Sequence, residues 1–262
     1  MQHSVQYNLW FAAVISVCCA VFVSWAAVSL KDRQDINAAL DKQRNVLIAA
    51  GLAKDGENLS RQEIEERFTP IRQVVIDLKT GEEAPDIDPT TFDYRRAAMN
   101  PDTSRAAPDN RSRVQRLADK ALVYQLQNGS GAIQILILPI EGYGLWGTLY
   151  GFLALDGSDL NTIRGITYYE HKETPGLGGE VDNPIWKARW DGRLAFDEEL
   201  SPKITVIKGP AGPPAEHPYR VDGLSGATIT SRGVTNMIHF WLAENGFGPY
   251  LARLRKTEGV TG

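Results

Sequence analysis

The sequence predicts an α+β protein: one N-terminal transmembrane helix, a helical stalk, and a domain of mostly antiparallel strands packed with helices. Three observations lead there. Residues Leu9 to Leu30 carry no charged side chain. Between residue 74 and residue 170, β-branched and aromatic runs alternate with turns rich in Gly, Asn and Asp. Helical signals mark the segments before residue 70 and after residue 230. The expected organisation is a short tail over 1–8, a span over 9–30, a stalk and N-terminal extramembrane part over 31–115, and a main domain over 116–262.

The apolar run LWFAAVISVCCAVFVSWAAVSL is 22 residues long. At the helical rise it covers roughly 33 Å, enough for a bilayer core. Trp10 and Trp25 lie toward its two ends, where aromatic belts form. A cleaved signal peptide needs a basic leader, and residues 1–8 contain no Lys or Arg. The run therefore reads as an uncleaved anchor in a lipid bilayer. Cys18 and Cys19 are adjacent inside it, which makes neither a disulfide framework nor a metal site. Lys31 and Arg33 follow the span and nothing basic precedes it, so the charge rule alone places the large C-terminal part in the cytoplasm.

Residues 31–53 continue the helix outward, with Ile36, Leu40, Leu47 and Ile48 as a loose apolar stripe and Gly51 as its stop. Ser60 and Glu63 form a capping-box pattern for a second helix that ends near Pro70. Val74 to Leu78 reads as a strand. Residues 84–110 are rich in Pro, Asp, Arg and Thr without a period, and read as a long surface loop. Ala121–Gln127 and Ala132–Ile140 form a hairpin around Asn128-Gly129-Ser130-Gly131. Strands follow at Thr148–Asp156, Thr162–Glu170 and Ile204–Ile207, with a short helix at Pro184–Trp190. Val234, Ile238, Trp241 and Leu242 define a helix over about Ser231 to Glu244, and a last helix begins at Tyr250.

The net charge of −4 and the lack of any Lys/Arg-rich run exclude nucleic acid as the expected partner. Chemistry concentrates in Asp222-Gly223-Leu224-Ser225-Gly226-Ala227-Thr228-Ile229-Thr230-Ser231, just ahead of the amphipathic helix. A helix start offers unpaired N–H groups and the positive end of its dipole, so a phosphate-sized anion fits there. The other reading is a helix cap with surplus hydroxyls. Gly223-Leu224-Ser225-Gly226-Ala227 also approaches a nucleophile elbow, but Pro218–Asp222 is a poor strand and the only downstream His is His239, inside the helix. The four His are scattered, and neither a dinucleotide fingerprint nor a P-loop is present. A flavin mononucleotide combines a phosphate with a flat apolar ring. The phosphate suits the 225–231 segment with Lys208 as counter-charge, and the ring suits Trp146 and Leu177. Trp146 has a second reading, a core tryptophan under a loop.

The 222–231 stretch resembles the flavinylation motif of the bacterial FMN-binding domain family, an Asp, a spacer, Ser/Thr-Gly-Ala-Thr, then Ser/Thr. Glu173-Thr174-Pro175-Gly176-Leu177-Gly178 is similar to the family's second signature, with Trp186 following. Span, stalk and flavin domain together resemble the flavin-bearing subunits of sodium-translocating NADH:quinone reductases. The resemblance implies FMN joined to Thr228 by a phosphoester, placed there by a flavin transferase. It implies that Ser225, Gly226, Ala227 and Thr230 hold the phosphate, and that Glu173, Thr174, Leu177, Gly178 and Trp146 line the ring. Asp222 would serve the transferase reaction or the local turn.

The implied function is electron relay from a membrane iron centre toward the next flavin subunit and quinone, coupled to sodium export. The chain would be one of six subunits in an inner-membrane complex, with no complete active site of its own. It would span the membrane once with its large domain in the periplasm, against the charge rule. The alternatives are the corresponding member of the related ferredoxin/NAD+ oxidoreductase complex, and an FMN-binding module without an electron-transfer role.

Overall fold

A computed structural model describes residues 4–257; residues 1–3 of the expected tail and 258–262 of the main domain lie outside the described part. The chain divides into two compact units after residue 42. The first unit is the greater part of one continuous helix, α1 (Val5–Ala49). It contains the expected span, with a mean hydropathy of 2.4 over its most apolar window and no residue of that window buried. Such a helix is long and apolar enough to cross a membrane. Continuity follows from composition: neither Pro nor Gly occurs between Val5 and Ala49. Gly51, at φ 71°, stops it, as the sequence predicts.

The second unit starts with the last turns of α1. Next comes α2 (Arg61–Phe68), whose capping box is complete. Ser60 Oγ accepts the Glu63 N–H at 3.3 Å, and Glu63 Oε2 accepts the Ser60 N–H at 2.8 Å. Five antiparallel strands make the sheet: β1 (Ile71–Asp77), β4 (Lys120–Gln127), β5 (Ile133–Tyr143), β6 (Thr148–Asp156) and β7 (Ile163–Glu170), in the order β1-β4-β5-β6-β7. The order after β1 is a plain meander, because each connection from β4 onward is a short turn.

Alternation along the strands assigns the two faces. Leu136, Leu138 and Ile140 of β5 and Leu149, Leu153 and Leu155 of β6 enter one buried cluster with Val234, Ile238 and Trp241 of α5 (Thr228–Leu242). Trp241 Nε1 donates to the Glu141 carbonyl at 2.7 Å. A side chain at Gly233 would meet the Tyr143 carbonyl at 2.4 Å, so this residue lets the start of α5 press against the end of β5. The other face carries Tyr124 and Phe152, with Phe68 of α2 edge-on to Tyr124 at 6.1 Å. On that side the Thr167 hydroxyl donates to the Asn45 carbonyl of α1 at 3.2 Å.

Several expectations change. The 84–110 segment is not all loop. It holds α3 (Tyr94–Met99), capped by Asp93, and β2 (Ser104–Ala106), which pairs with β3 (Arg116–Ala118). Both elements are too short to show a period, and the β2 partner lies beyond the segment. The second compact unit begins at residue 43, and β1, which lies ahead of residue 115, is an edge strand of its main sheet. β8 (Thr205–Val206) pairs in parallel with β9 (Arg220–Val221), a two-residue strand hidden next to prolines. The Pro184–Trp190 helix is α4 (Pro184–Lys187) followed by a single tighter turn. The last element among the described residues is α6 (Gly248–Thr257), which starts two residues before Tyr250.

Candidate functional site

The opening turn of α5 lies beside the β5–β6 turn. α5 begins at Thr228, three residues before the sequence predicts, and its N-cap is Ala227, which offers no side-chain hydrogen bond. The first-turn N–H groups therefore lack the usual Ser or Asp cap. The loop ahead of the helix is braced from several sides. Ser231 Oγ accepts the Leu224 N–H at 3.1 Å, and the Ala227 N–H reaches the Leu224 carbonyl at 3.1 Å. Asp222 pairs with Arg189 and accepts the Ala211 N–H at 2.9 Å, while its carbonyl accepts Trp186 Nε1 at 2.8 Å. Asp222 thus holds the local turn. Gly226 takes φ 70°, a conformation that disfavours any other residue.

The four hydroxyls of the stretch separate by burial. Thr230 and Ser231 are buried, whereas Ser225 and Thr228 are exposed. Thr230, expected to hold the phosphate, is only 1% exposed and donates its hydroxyl to Glu173 Oε2 at 2.5 Å. Glu173, expected to line a ring, is itself 5% exposed. Its other oxygen accepts the Leu145 and Trp146 N–H groups at 3.0 and 2.9 Å. One carboxylate therefore ties together the β5–β6 turn, the first turn of α5 and its own loop. The chemistry explains the choice: an ionised carboxylate is an acceptor only, with room for several donors. A side chain at Gly178 would sit 2.5 Å from Glu173 Oε2 and 2.6 Å from Thr230 Oγ1, so this clasp requires glycine there. The Thr174 carbonyl accepts the Leu177 and Gly179 N–H groups at 3.1 and 2.9 Å and shapes the loop that presents Leu177.

Around the clasp the surface is apolar. Trp146 is 63% exposed, which excludes the core reading, and Leu145, Leu177 and Ile229 are exposed with it. Leu177 Cδ2 lies 2.9 Å from where a Gly226 side chain would begin, so the shelf adjoins the 225–228 turn. A groove of about 520 Å³ that includes Thr228 is lined by Lys208, Gly209, Ser225, Gly226, Arg232 and Thr235 among others. Lys208 and Arg232 make no ion pair among the described residues. Arg232 is one helical turn after Thr228 and shares its face, a relation absent from the sequence-based expectation although the i, i+4 spacing carries it.

An unpaired cationic groove, a helix start and an exposed apolar shelf meet at Thr228, and together suit a phosphate joined to a flat apolar ring. The class follows: residues 144–243 match the family model described as "FMN-binding domain". Over the whole chain the likeness is narrower. A relative from Pseudomonas aeruginosa, the C subunit of its Na(+)-translocating NADH-quinone reductase, is 45% identical over 98% of this chain and 98% of its own length. The protein of that name from Yersinia pestis is 43% identical over 97% of this chain and 94% of its own. The crystal structure of Shewanella oneidensis NqrC superposes with a TM-score of 0.73 at 35% identity, covering 82% of this chain and 96% of that one. The chain belongs to this NqrC family, the C subunits of Na(+)-translocating NADH-quinone reductases.

Proposed function

We propose that this chain is the membrane-anchored flavin subunit of a sodium-translocating NADH:quinone reductase, with FMN held as a phosphoester on Thr228. The observation that supports it best is the sorting of hydroxyls: in the 222–231 stretch only Ser225 and Thr228 are exposed, and only Thr228 also opens a helix. Lys208 and Arg232 hold the phosphate by charge, joined by the N–H groups of the first helical turn. Leu145, Trp146, Leu177 and Ile229 form the apolar surface for the ring. Glu173, Thr174, Gly178 and Thr230 position that surface. FMN in this place supplies one-electron chemistry, receiving electrons from a membrane iron centre and passing them toward the next flavin subunit and quinone, coupled to sodium export.

The α1 helix anchors the chain, with the large domain in the periplasm, where a flavin transferase reaches Thr228. Lys31 and Arg33 oppose that orientation, but they are two residues, and the neighbours in a complex of six subunits also set it. The test has two parts. The full-length chain, made with a flavin transferase, carries the mass of FMN, loses it in Thr228→Ala and keeps it in Ser225→Ala. Within membranes holding the other subunits, NADH bleaches its flavin absorbance. Flavin attachment without NADH-driven bleaching would leave a flavin-binding module and refute the relay.

A further inference from the structure

The loop that carries Glu173 is closed at its base by a histidine. His171 follows the end of β7, and Asp182 ends the tight helical turn Gly178–Asp182. His171 Nε2 lies 2.7 Å from Asp182 Oδ2, and the other ring nitrogen, Nδ1, accepts the Glu173 N–H at 3.2 Å. Between the two closing residues lie Glu173, Thr174, Leu177 and Gly178, the clasp and the loop that presents the shelf. The His171 side chain is 16% exposed. Its two contacts make opposite demands on the ring. An amide N–H only donates, so Nδ1 must offer a lone pair; a carboxylate only accepts, so Nε2 must carry the proton. Of the three states of an imidazole, the neutral Nε2–H tautomer alone makes both bonds. A proton added at Nδ1 sets donor against donor at Glu173, while the bond to Asp182 stays and gains charge.

The consequence reaches the flavin site through Glu173 itself. Its backbone is tied to His171, and its carboxylate accepts the Leu145 and Trp146 N–H groups and the Thr230 hydroxyl. The neighbouring charges are accounted for on each side. The hydrogen bond to Asp182 raises the His171 pKa above its ordinary value, against burial, and the Glu173 charge adds to the rise. Lys172 lies along Gly147 of the β5–β6 turn. Glu180, in the same helical turn as Asp182, accepts Asn183 Nδ2 at 2.7 Å. In β7, Glu170 pairs with Arg95, and burial followed by Asp182 keeps Tyr168 a neutral phenol. Lys187 of α4 pairs with Asp55.

We propose that His171 is a positioning residue of the flavin site. As the neutral Nε2–H tautomer it fixes the Glu173 backbone and, through the clasp, the Trp146 end of the shelf. On protonation it keeps Asp182 and releases the Glu173 amide. The step balances simply: one proton from water forms one N–H bond at Nδ1, the ring gains one positive charge, and no electron moves. The effect on the flavin rests on the reading above, whereas the latch belongs to the chain with or without flavin. Linkage adds a reciprocal effect: if protonation loosens the shelf around the ring, a bound flavin lowers the His171 pKa.

The experiment uses the full-length chain in detergent, labelled with 15N in His and Glu, between about pH 5.5 and pH 8.5. The chain has four histidines, and loss of a signal in His171→Asn assigns the ring. In the flavin-free Thr228→Ala chain, His171 should be the Nε2–H tautomer at high pH, and the Glu173 amide shift should follow its titration. Asp182→Asn should move that titration to lower pH. His171→Asn offers a side-chain oxygen that accepts the N–H two residues on and does not titrate. It should hold the Glu173 amide at every pH, and His171→Ala at none. In the flavin-loaded chain, visible circular dichroism of the wild type should shift on acidification toward the His171→Ala signal, while His171→Asn stays constant. An Nδ1–H tautomer at high pH, or a Glu173 amide that ignores the titration, overturns the latch. A loaded wild type whose dichroism matches His171→Asn at every pH overturns the positioning role. A chain that acquires no flavin from the transferase refutes the flavin reading and the positioning role with it, while the nitrogen shifts still decide the latch.

Discussion

Replacing Glu173 by Ala should collapse the flavin shelf without touching the membrane helix. The carboxylate accepts three hydrogen bonds, from the Leu145 and Trp146 N–H groups and from the Thr230 hydroxyl. Hydrogen bonds to a charged group contribute about 1.5–3 kcal/mol each. Three that share one acceptor do not add, since the first loss frees the others to relax. At 5% exposure, water enters only if the loop opens. A loss of about 3–5 kcal/mol follows, with two backbone donors and one hydroxyl left unpaired. For a unit of this size that corresponds to a fall of roughly 6–20 °C in Tm. Differential scanning calorimetry of the full-length chain in detergent reads the fall, and Trp146 fluorescence reads the opening of the turn. Glu173→Gln keeps an acceptor for the two N–H groups and should lose less than half as much. Gly178→Ala, which drives a carbon into the same carboxylate, should resemble Glu173→Ala. A Tm change under about 2 °C in Glu173→Ala, with unaltered fluorescence, would show that Glu173 is not the clasp.

The remaining predictions concern charge. In a Thr228→Ala background, where FMN binds only reversibly, Lys208→Gln and Arg232→Gln should each weaken FMN binding several-fold, on the order of 1 kcal/mol for an exposed contact. The loss should shrink as salt is added, and flavin fluorescence titration measures it; equal affinity at low salt would remove these two residues from the phosphate site. Glu141 predicts a pH effect on folding. Its folded value is raised from 4.5 to about 7, so between those values the folded chain holds a proton the unfolded chain has lost. Stability therefore falls as pH rises through that window, by on the order of 3 kcal/mol. Glu141→Gln removes the fall, so the variant should gain on the wild type between about pH 5 and about pH 8. Thermal melts at the two pH values check it, and a pH-independent difference contradicts it. Asp222→Ala frees Arg189 and the Ala211 N–H together and should lower the yield of flavinylated chain, read by in-gel flavin fluorescence; an undiminished yield would reduce Asp222 to a dispensable brace.

Local signals in the sequence carry most of the sheet. β4, β5, β6 and β7 follow directly from β-branched runs between Gly and Asn turns, and the Ser60–Glu63 capping box forms as its spacing predicts. Non-local elements are not legible in this way. β9 has two residues and exists only because β8 lies beside it, and β2 depends on β3. The site shows the same division. Glu173, Thr230 and Gly178 are visible as members of a flavin pattern, but nothing in their order says that they bind one another. That is a tertiary relation, set by α5 pressing against the β5 end at Gly233. Arg232 is legible in principle, since i, i+4 places it on the Thr228 face, yet a single exposed Arg on a helix carries no signal until the groove beside it is seen. Trp146 cannot be assigned from sequence, because a glycine-flanked tryptophan suits both a core and an exposed shelf.

The most direct measurement concerns one oxygen. Trypsin cuts after Arg220 and Arg232, which releases Val221–Arg232 with all four hydroxyls of the stretch on one peptide. Fragment-ion spectra of this peptide, from full-length chain made with a flavin transferase, locate the flavin phosphate residue by residue. The modification should sit on Thr228 alone, leaving Ser225, Thr230 and Ser231 unmodified. Flavin on Ser225, or on either buried hydroxyl, would contradict the assignment of the helix-opening threonine as the attachment point.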